Sequence, residues 1–187
     1  DQIFAHKQAE VAALKRGQPL ASLRAAAEAL PGAEPGRLDF LSALRRPRGA
    51  GPGLIAEIKR ASPSRGPLLP DLDPRRLART YQDNGAAALS VLTDERYFQG
   101  SLEDLADLAT DAAIYLPVLR KDFICDPYQV YQARLAGAAA VLLIVAGLDF
   151  SQLGDLHALV LSQGMAPLVE VHTPAELESA LRLNPPL

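Results

Sequence analysis

Lysine is rare in this chain, and two of its lysines stand at the ends of apolar segments. The lysines are Lys7, Lys15, Lys59 and Lys121, whereas most of the positive charge is carried by arginine. Lys59 and Lys121 each close a short β-rich run. Unlike arginine, lysine can release a proton when it is partly desolvated, so these two residues are candidates for acid–base chemistry. The alternative is that one of them is a structural ion-pair partner.

Two glutamates, Glu57 and Glu170, also lie at or near the ends of apolar runs, as Lys59 and Lys121 do. Glu57 lies two residues before Lys59, and because side chains alternate along a strand, both point to one face. An acid and a base within reach of each other suit proton transfer, and a buried salt bridge is the alternative. Glu170 ends an apolar run as Lys121 does, and a buried carboxylate needs a partner, water or a function. We predict that the four side chains converge on one site.

The loops after the apolar runs offer further candidates. Residues 60–66 are polar, have the composition of a mobile loop and are well placed to cover a ligand. Phe98 and Phe123 follow two other runs, where aromatic side chains could line an apolar pocket or serve only in packing.

Five short apolar runs must position these side chains. They are residues 54–59, 87–93, 117–121, 141–145 and 167–171. Their centres are about 23 to 34 residues apart, close to the roughly 31 residues per unit of an eight-unit βα barrel. Runs without polar alternation, such as residues 141–145, are typical of parallel strands buried on both faces. The pattern predicts an α/β fold with a parallel sheet.

Helix boundaries fall between these runs. Three capping residues each precede a proline at the first helical position, namely Asp73, Asp126 and Thr173. Glu176 follows Thr173 by three residues and predicts a capping box. Gly85 and Gly137 follow the last helical turns, where a left-handed conformation is easiest without a Cβ.

The first part of the chain differs from the rest and predicts a helical extension, residues 1–46, packed on the domain. Phe4, Val11 and Leu14 fall on one helical face, and the alanine-rich residues 20–30 favour a second helix. A break at residues 31–36 and a short helix at residues 37–44 follow.

We assign residues 1–187 to a single domain, with residues 47–187 as the first five βα units of a barrel. The chain reaches residues 184–187 (NPPL) where a sixth strand would begin. Five units do not close a barrel, so we expect a C-terminally incomplete barrel whose open edge could take a contact.

Composition restricts the class of protein. A net charge of -3, 49% hydrophobic and 22% charged residues are globular values. The largest block of like charge is residues 45–48, so nucleic acid and anionic membranes are not expected partners. The single cysteine, Cys125, fits a cytoplasmic location and is expected to be a half-buried thiol rather than a nucleophile. His6, His157 and His172 are far apart, and we expect no metal site.

Four ordered segments form a recognisable pattern: residues 56–64 (AEIKRASPS), 89–101 (LSVLTDERYFQGS), 119–123 (LRKDF) and 167–171 (PLVEV). Together they resemble the indole-3-glycerol phosphate synthase family, and the resemblance extends from the N-terminal helix to the end of the chain. It implies a (β/α)8 TIM barrel. It also implies a cofactor-free carbon-carbon lyase (carboxy-lyase) of tryptophan biosynthesis, acting on a small phosphorylated substrate.

That resemblance implies roles for the candidate residues. Lys121 would be the general acid of ring closure, and Glu170 the general base of dehydration. Lys59 would hold charged groups of the substrate, and Glu57 would orient the lysines or relay protons. The division of the acid role between Lys59 and Lys121 stays open.

The same resemblance implies substrate-binding residues. Ser62 would form a hydrogen bond in the loop, and Phe98, Phe123 and Leu142 would surround the anthranilate ring. The asparagine of strand six, the Glu-Ser pair of strand seven and the glycine-rich phosphate cradle of the family lie beyond Leu187. We therefore expect these 187 residues alone to be inactive. One alternative is a catalytically inactive barrel fragment that acts only as a scaffold. Another is a different phosphosugar barrel of the same pathway, such as phosphoribosylanthranilate isomerase, against which the Glu-Ile-Lys and Lys-Asp-Phe motifs argue.

Overall fold

A computed structural model describes residues 2–31, 39–47, 49–69 and 71–187. Within these ranges the chain forms, in order, α1 (Gln2–Gly17), α2 (Leu20–Glu28), α3 (Phe40–Leu44), β1 (Ile55–Ile58), β2 (Ala61–Ser62), β3 (Gly66–Pro67), α4 (Pro74–Asp83), β4 (Ala88–Leu92), α5 (Glu95–Phe98), α6 (Leu102–Thr110), β5 (Val118–Lys121), α7 (Pro127–Leu135), β6 (Ala140–Ile144), a 3-10 turn (Val145–Gly147), α8 (Phe150–Ser162), β7 (Ala166–Glu170) and α9 (Pro174–Leu181). No helix in the described ranges has both the length and the apolar character needed to cross a membrane.

The main sheet has five strands in the order β1-β4-β5-β6-β7, and every neighbouring pair is parallel. At least one helix separates each strand from the next in sequence, so the connections are βα crossovers. The predicted α/β class and the predicted sequential order of five parallel strands are confirmed. All five strands overlap the apolar runs from which they were predicted, with ends shifted by at most one residue.

Both faces of the sheet are covered by apolar side chains, which explains the uninterrupted apolar runs. Ala56 and Ile58 belong to an outer core packed between the sheet and its helices. Ile55 packs with a smaller inner core, and Glu57 lies on the same inner face as Ile55. The predicted division of β1 into an apolar face and a face with Glu57 is therefore observed. Along β6, Leu142 likewise faces the inner core.

The predicted helix caps form, with one exception. The three predicted N-cap side chains accept hydrogen bonds from backbone N–H groups of the first turn, at Asp73, Asp126 and Thr173. Gly85 and Gly137 have φ of 85° and 81°, as their C-terminal positions require. The predicted capping box of α9 is wrong: the Glu176 carboxylate accepts from the backbone N–H of His172 at 2.7 Å, because it reaches one residue beyond the cap.

The N-terminal helices contact the rest of the chain, and burial is uneven along α1. Phe4 and Val11 are buried, but Leu14 is 39% exposed, which contradicts its predicted packing. The last turn of α1 is held to the domain by an ion pair between Lys15 and Asp126 instead. Residues 32–38, which contain most of the predicted break and the start of the predicted third helix, lie outside the described ranges. The later part of that predicted helix is observed as α3 (Phe40–Leu44).

Candidate active site

The strand ends bring the predicted acids and bases to one edge of the sheet. Glu57 lies near the end of β1 and Lys59 directly follows that strand, whereas Lys121 and Glu170 are the last residues of β5 and β7. Each of the four side chains is 31% or 32% exposed. They are therefore partly desolvated and still reachable by a ligand. Parallel βα folds place their ligand sites at this edge.

A cavity of about 470 Å³ opens on the inner face of the sheet. Its wall consists of Ile55, Glu57, Ser90, Leu119, Lys121, Leu142, Leu168, Val169, Glu170 and Val171. The volume is in the range of small-molecule sites, and an apolar wall with a few polar groups is typical of them. We call it the central cavity.

The acids and bases form two pairs. The Lys59 ammonium contacts the Glu57 carboxylate, although Lys59 is not among the described residues of the cavity wall. Lys121 Nζ lies 3.3 Å from Glu170 Oε2, and Glu170 Oε1 lies 3.4 Å from His172 Nε2. A lysine and a carboxylate in contact within an apolar cavity can exchange a proton directly. His172 was not among the predicted site residues, although it follows Glu170 by two positions.

Of the predicted ring-binding residues, Leu142 lines the central cavity, but Phe98 and Phe123 are not among the described residues of its wall. The two rings contact each other, with centroids 6.0 Å apart. Phe123 also packs edge-to-face on Phe4 of α1 at 5.4 Å. Phe4 in turn lies against Gly147, where a Cβ would be 1.9 Å from the Phe4 ring, so only glycine permits this approach.

Ser62 belongs to a small hairpin and is not among the described wall residues of the central cavity. β2 and β3 pair in antiparallel fashion, and Gly66 adopts a positive φ of 64° at the turn. At the base of the hairpin, the Arg60 side chain contacts the Asp104 carboxylate. The backbone carbonyl of Arg60 accepts a hydrogen bond from the Leu68 N–H at 2.7 Å. The segment that was expected to be a mobile loop is thus an anchored hairpin.

A buried ion cluster, formed by Lys7, Glu10, Asp94 and Asp122, was not predicted from the sequence. Lys7 is only 1% exposed. Its Nζ lies 2.9 Å from Asp94 Oδ2, 3.2 Å from Asp122 Oδ1 and 3.1 Å from Glu10 Oε2. Asp94 follows β4, and Asp122 directly follows Lys121. The cluster therefore ties α1 to the ends of two strands beside the central cavity.

Asp122 is also held from the side of the sheet. Its Oδ2 accepts from Thr93 Oγ1 at 2.7 Å and from Arg120 Nη2 at 3.0 Å. Burial alone would raise the pKa of Asp122, but Arg120, Lys7 and these hydrogen bonds outweigh it and leave the pKa below its usual value. The carboxylate is therefore charged at neutral pH, next to Lys121 in the chain.

The electrostatics of Lys7 mirror those of Asp122. Burial lowers the pKa of the ammonium, but the carboxylates of Asp122, Asp94 and Glu10 outweigh it and raise the pKa above its usual value. Lys7 is thus a permanent cation. At neutral pH it serves as the counterion of these carboxylates, whereas the resemblance gives Lys121 the role of a general acid.

Cys125 is half-buried and outside the described wall of the central cavity. Burial, together with the carboxylates of Asp126 and Asp122, raises the pKa of its thiol to about 11. A thiol that stays protonated at neutral pH is a poor nucleophile, in line with the reading of Cys125 from sequence.

The fold and the site define an α/β enzyme with parallel βα units and an acid–base cavity at the carboxyl ends of its strands. A sequence model of the family described as indole-3-glycerol phosphate synthase matches residues 1–187. The match to the family model therefore extends over the whole of the given sequence.

Three relatives named indole-3-glycerol phosphate synthase show the extent of the similarity. The protein of Laribacter hongkongensis is 52% identical over 188 residues, which is 100% of this chain and 69% of the relative. That of Chlorobium chlorochromatii is 51% identical over 97% of this chain and 68% of the relative. That of a Polaromonas species is 50% identical over 100% of this chain and 69% of the relative. The chain belongs to the indole-3-glycerol phosphate synthase family.

Proposed function

We propose that the central cavity carries out the reaction of this family, and that its own acids and bases move the protons. The function is that of indole-3-glycerol phosphate synthase, a carboxy-lyase of tryptophan biosynthesis. It converts 1-(2-carboxyphenylamino)-1-deoxyribulose 5-phosphate to indole-3-glycerol phosphate, carbon dioxide and water. The observation that carries the proposal is the contact of Lys121 with Glu170 at 3.3 Å inside the central cavity.

Lys121 acts in ring closure. The ring carbon that bears the carboxylate attacks the ketone carbon, a carbon–carbon bond forms, and the ketone oxygen takes a proton from the Lys121 ammonium. The carboxylate then leaves as carbon dioxide, and the electron pair of the broken bond restores the aromatic ring. Lysine suits this step because it can donate a proton and regain it, whereas arginine cannot.

Glu170 acts in dehydration. The hydroxyl formed in the first step leaves as water after it gains a proton from a lysine ammonium, and Glu170 removes a proton from the newly closed ring. Because Glu170 touches Lys121, the proton that it takes can pass to that lysine and be used again. The division of the two donations between Lys121 and Lys59 is part of the proposal.

The remaining site residues position the substrate. Lys59 holds a charged group of the substrate while Glu57 orients the Lys59 ammonium, and their contact supports this arrangement. Leu142 supplies an apolar wall for the anthranilate ring. Phe98 and Phe123 complete that wall when substrate is bound. Ser62, which lies in the hairpin after β1, forms a hydrogen bond at the entrance.

The architectural part of the proposal is a single domain over residues 1–187. Residues 1–46 would be a helical extension, and residues 47–187 the first five units of a (β/α)8 TIM barrel. The helices α1 to α3 and the sequential parallel strands support it. We further propose a cytoplasmic enzyme that works without a cofactor and binds neither nucleic acid nor membrane. The scaffold and isomerase alternatives are not favoured, because the named relatives are about half identical over this chain.

The proposal is tested on a full-length protein that carries the whole barrel, by supplying the substrate with a labelled carboxyl group and following labelled carbon dioxide and indole fluorescence together. We expect both products in equal amounts. Isomerisation of phosphoribosylanthranilate without carbon dioxide, or no turnover of either substrate, would contradict the proposal.

A further inference from the structure

Ser90 carries a buried hydroxyl that is not used by the fold. The residue lies on β4 and is 4% exposed. Its Oγ has no hydrogen-bond partner among the residues that the structure describes. A buried hydroxyl without a partner destabilises a protein, so most buried hydroxyls are paired. An unpaired buried hydroxyl is explained if a bound ligand supplies its hydrogen-bond partner.

The strand register places this hydroxyl on the inner face of the sheet. Ser90 is in register with Glu57 of β1 and with Leu119 of β5, and all three residues line the central cavity. Its neighbours along the strand, Leu89 and Val91, face the outer core. Because side chains alternate, Ser90 points inward.

Ser90 also differs in kind from the other polar groups of the wall. Among the described residues that line the central cavity, Glu57, Lys121 and Glu170 carry charge, whereas Ser90 is polar and uncharged. Lys121 is in register with Leu92, two residues beyond Ser90, so the hydroxyl lies about 7 Å deeper along the strands than that lysine. A hydroxyl can both donate and accept a hydrogen bond.

We propose that Ser90 is a substrate-binding residue, and that its hydroxyl forms a hydrogen bond with the substrate end that reaches the floor of the central cavity. The inference rests on the proposed function for the identity of the substrate. Without substrate the hydroxyl is unsatisfied, and on binding it gains its partner. The residue thus sacrifices stability in the free enzyme for affinity.

The test is Ser90→Ala, measured for both stability and kinetics. We expect an unchanged or higher Tm without substrate, because an unsatisfied buried hydroxyl is removed. We expect KM to rise about 10-fold with kcat nearly unchanged, which is the pattern for loss of one hydrogen bond made equally in the ground state and the transition state. A purely structural hydroxyl would give the opposite result, a lower Tm with an unchanged KM.

Thr93→Val is the matched control for stability, because the Thr93 hydroxyl is also buried but bonds Asp122 and Arg120. Its Tm should fall where that of Ser90→Ala does not. Ser90→Cys, a near-isostere with a weak donor, should raise KM by less than Ser90→Ala. An unchanged KM in Ser90→Ala overturns the proposal, as does a fall in Tm comparable to that of Thr93→Val. Loss of activity in Lys121→Ala together with an unchanged KM in Ser90→Ala would overturn the inference on Ser90 alone.

Discussion

Substitutions of Lys121 distinguish a lysine that transfers a proton from one that only supplies a fixed positive charge. In a full-length protein, replacement of Lys121 by alanine should lower turnover by about 100-fold or more, as expected for loss of a general acid. Lys121→Arg keeps the positive charge beside Glu170 but cannot release a proton at neutral pH, so it should also be nearly inactive. Steady-state indole formation measures both.

Lys15→Ala is the matched control for that experiment. Lys15 is also a lysine in an ion pair, with Asp126 at 2.6 Å, but it lies on α1 and outside the central cavity. Surface pairs of this kind contribute about 0–1 kcal/mol, so the control should fold and turn over normally. Near-normal turnover of Lys121→Arg would show that Lys121 acts only as a fixed charge.

At this scale, sequence reasoning worked where residue type and position in a strand were enough. Four side chains were predicted to converge because carboxyl ends of parallel strands meet at one edge. Glu57, Lys121 and Glu170 line one cavity, whereas Lys59 is not among the described residues of its wall and contacts Glu57 instead. Lys7 was counted among the rare lysines but given no role, because its burial depends on how α1 packs against distant loops. Ser90 was missed because alternation predicts the face of a side chain but not whether it has a partner.

At the scale of elements, the buried ion cluster links α1 to the ends of β4 and β5. Lys7→Met removes the cation that faces Asp94 and Asp122. Breaking a buried ion pair by removing one partner typically costs about 3–5 kcal/mol, because a charge is left uncompensated. We expect a loss of this size at pH 7 from denaturant unfolding. Lys15→Met, whose ion pair is partly exposed, should lose about 1 kcal/mol at most.

The pH dependence of that loss follows from the pKa shifts. The pKa of Asp122 is depressed in the folded protein, so its stabilisation is present above the unfolded value of about 3.9 and is lost as the pH falls through the folded value. The pKa of Lys7 is raised, so its stabilisation is present below about 10.4 and is lost as the pH rises further. The gap between the wild type and Lys7→Met should therefore be widest between these limits. A gap of constant size down to pH 2 would contradict this assignment.

Secondary structure was predictable where its signals are local. Apolar runs located the five strands, and proline-flanked caps located the starts of α4, α7 and α9. The caps of the other helices between the strands were not predicted. The hairpin of β2 and β3 was missed because its pairing involves two residues on each side, too few to form an apolar pattern. Leu14 was assigned to a buried face by periodicity, which does not reveal where α1 leaves the domain.

At the scale of the whole molecule, the two faces of the sheet have different roles: the outer face packs against helices, and the inner face carries the site. Its outer face packs against helices through a large apolar core, in which the buried Arg120 is a polar exception. Its inner face carries a smaller apolar core and, at the carboxyl ends of the strands, the polar groups of the central cavity. α1 contributes to this inner side through Phe4, which packs on Phe123, and through Lys7. The N-terminal helices therefore support the site as well as the fold.

The central claim is that one cavity closes the ring with Lys121 and completes dehydration with Glu170. A single-turnover experiment on Glu170→Gln, with the carboxyl carbon of the substrate labelled, tests it most directly. The account predicts release of labelled carbon dioxide at close to the wild-type rate and indole formation delayed about 100-fold, because only the second step needs the base. Lys121→Ala should delay both products by about 100-fold or more. Equal delay of carbon dioxide and indole in Glu170→Gln, or no delay of either, would contradict the account.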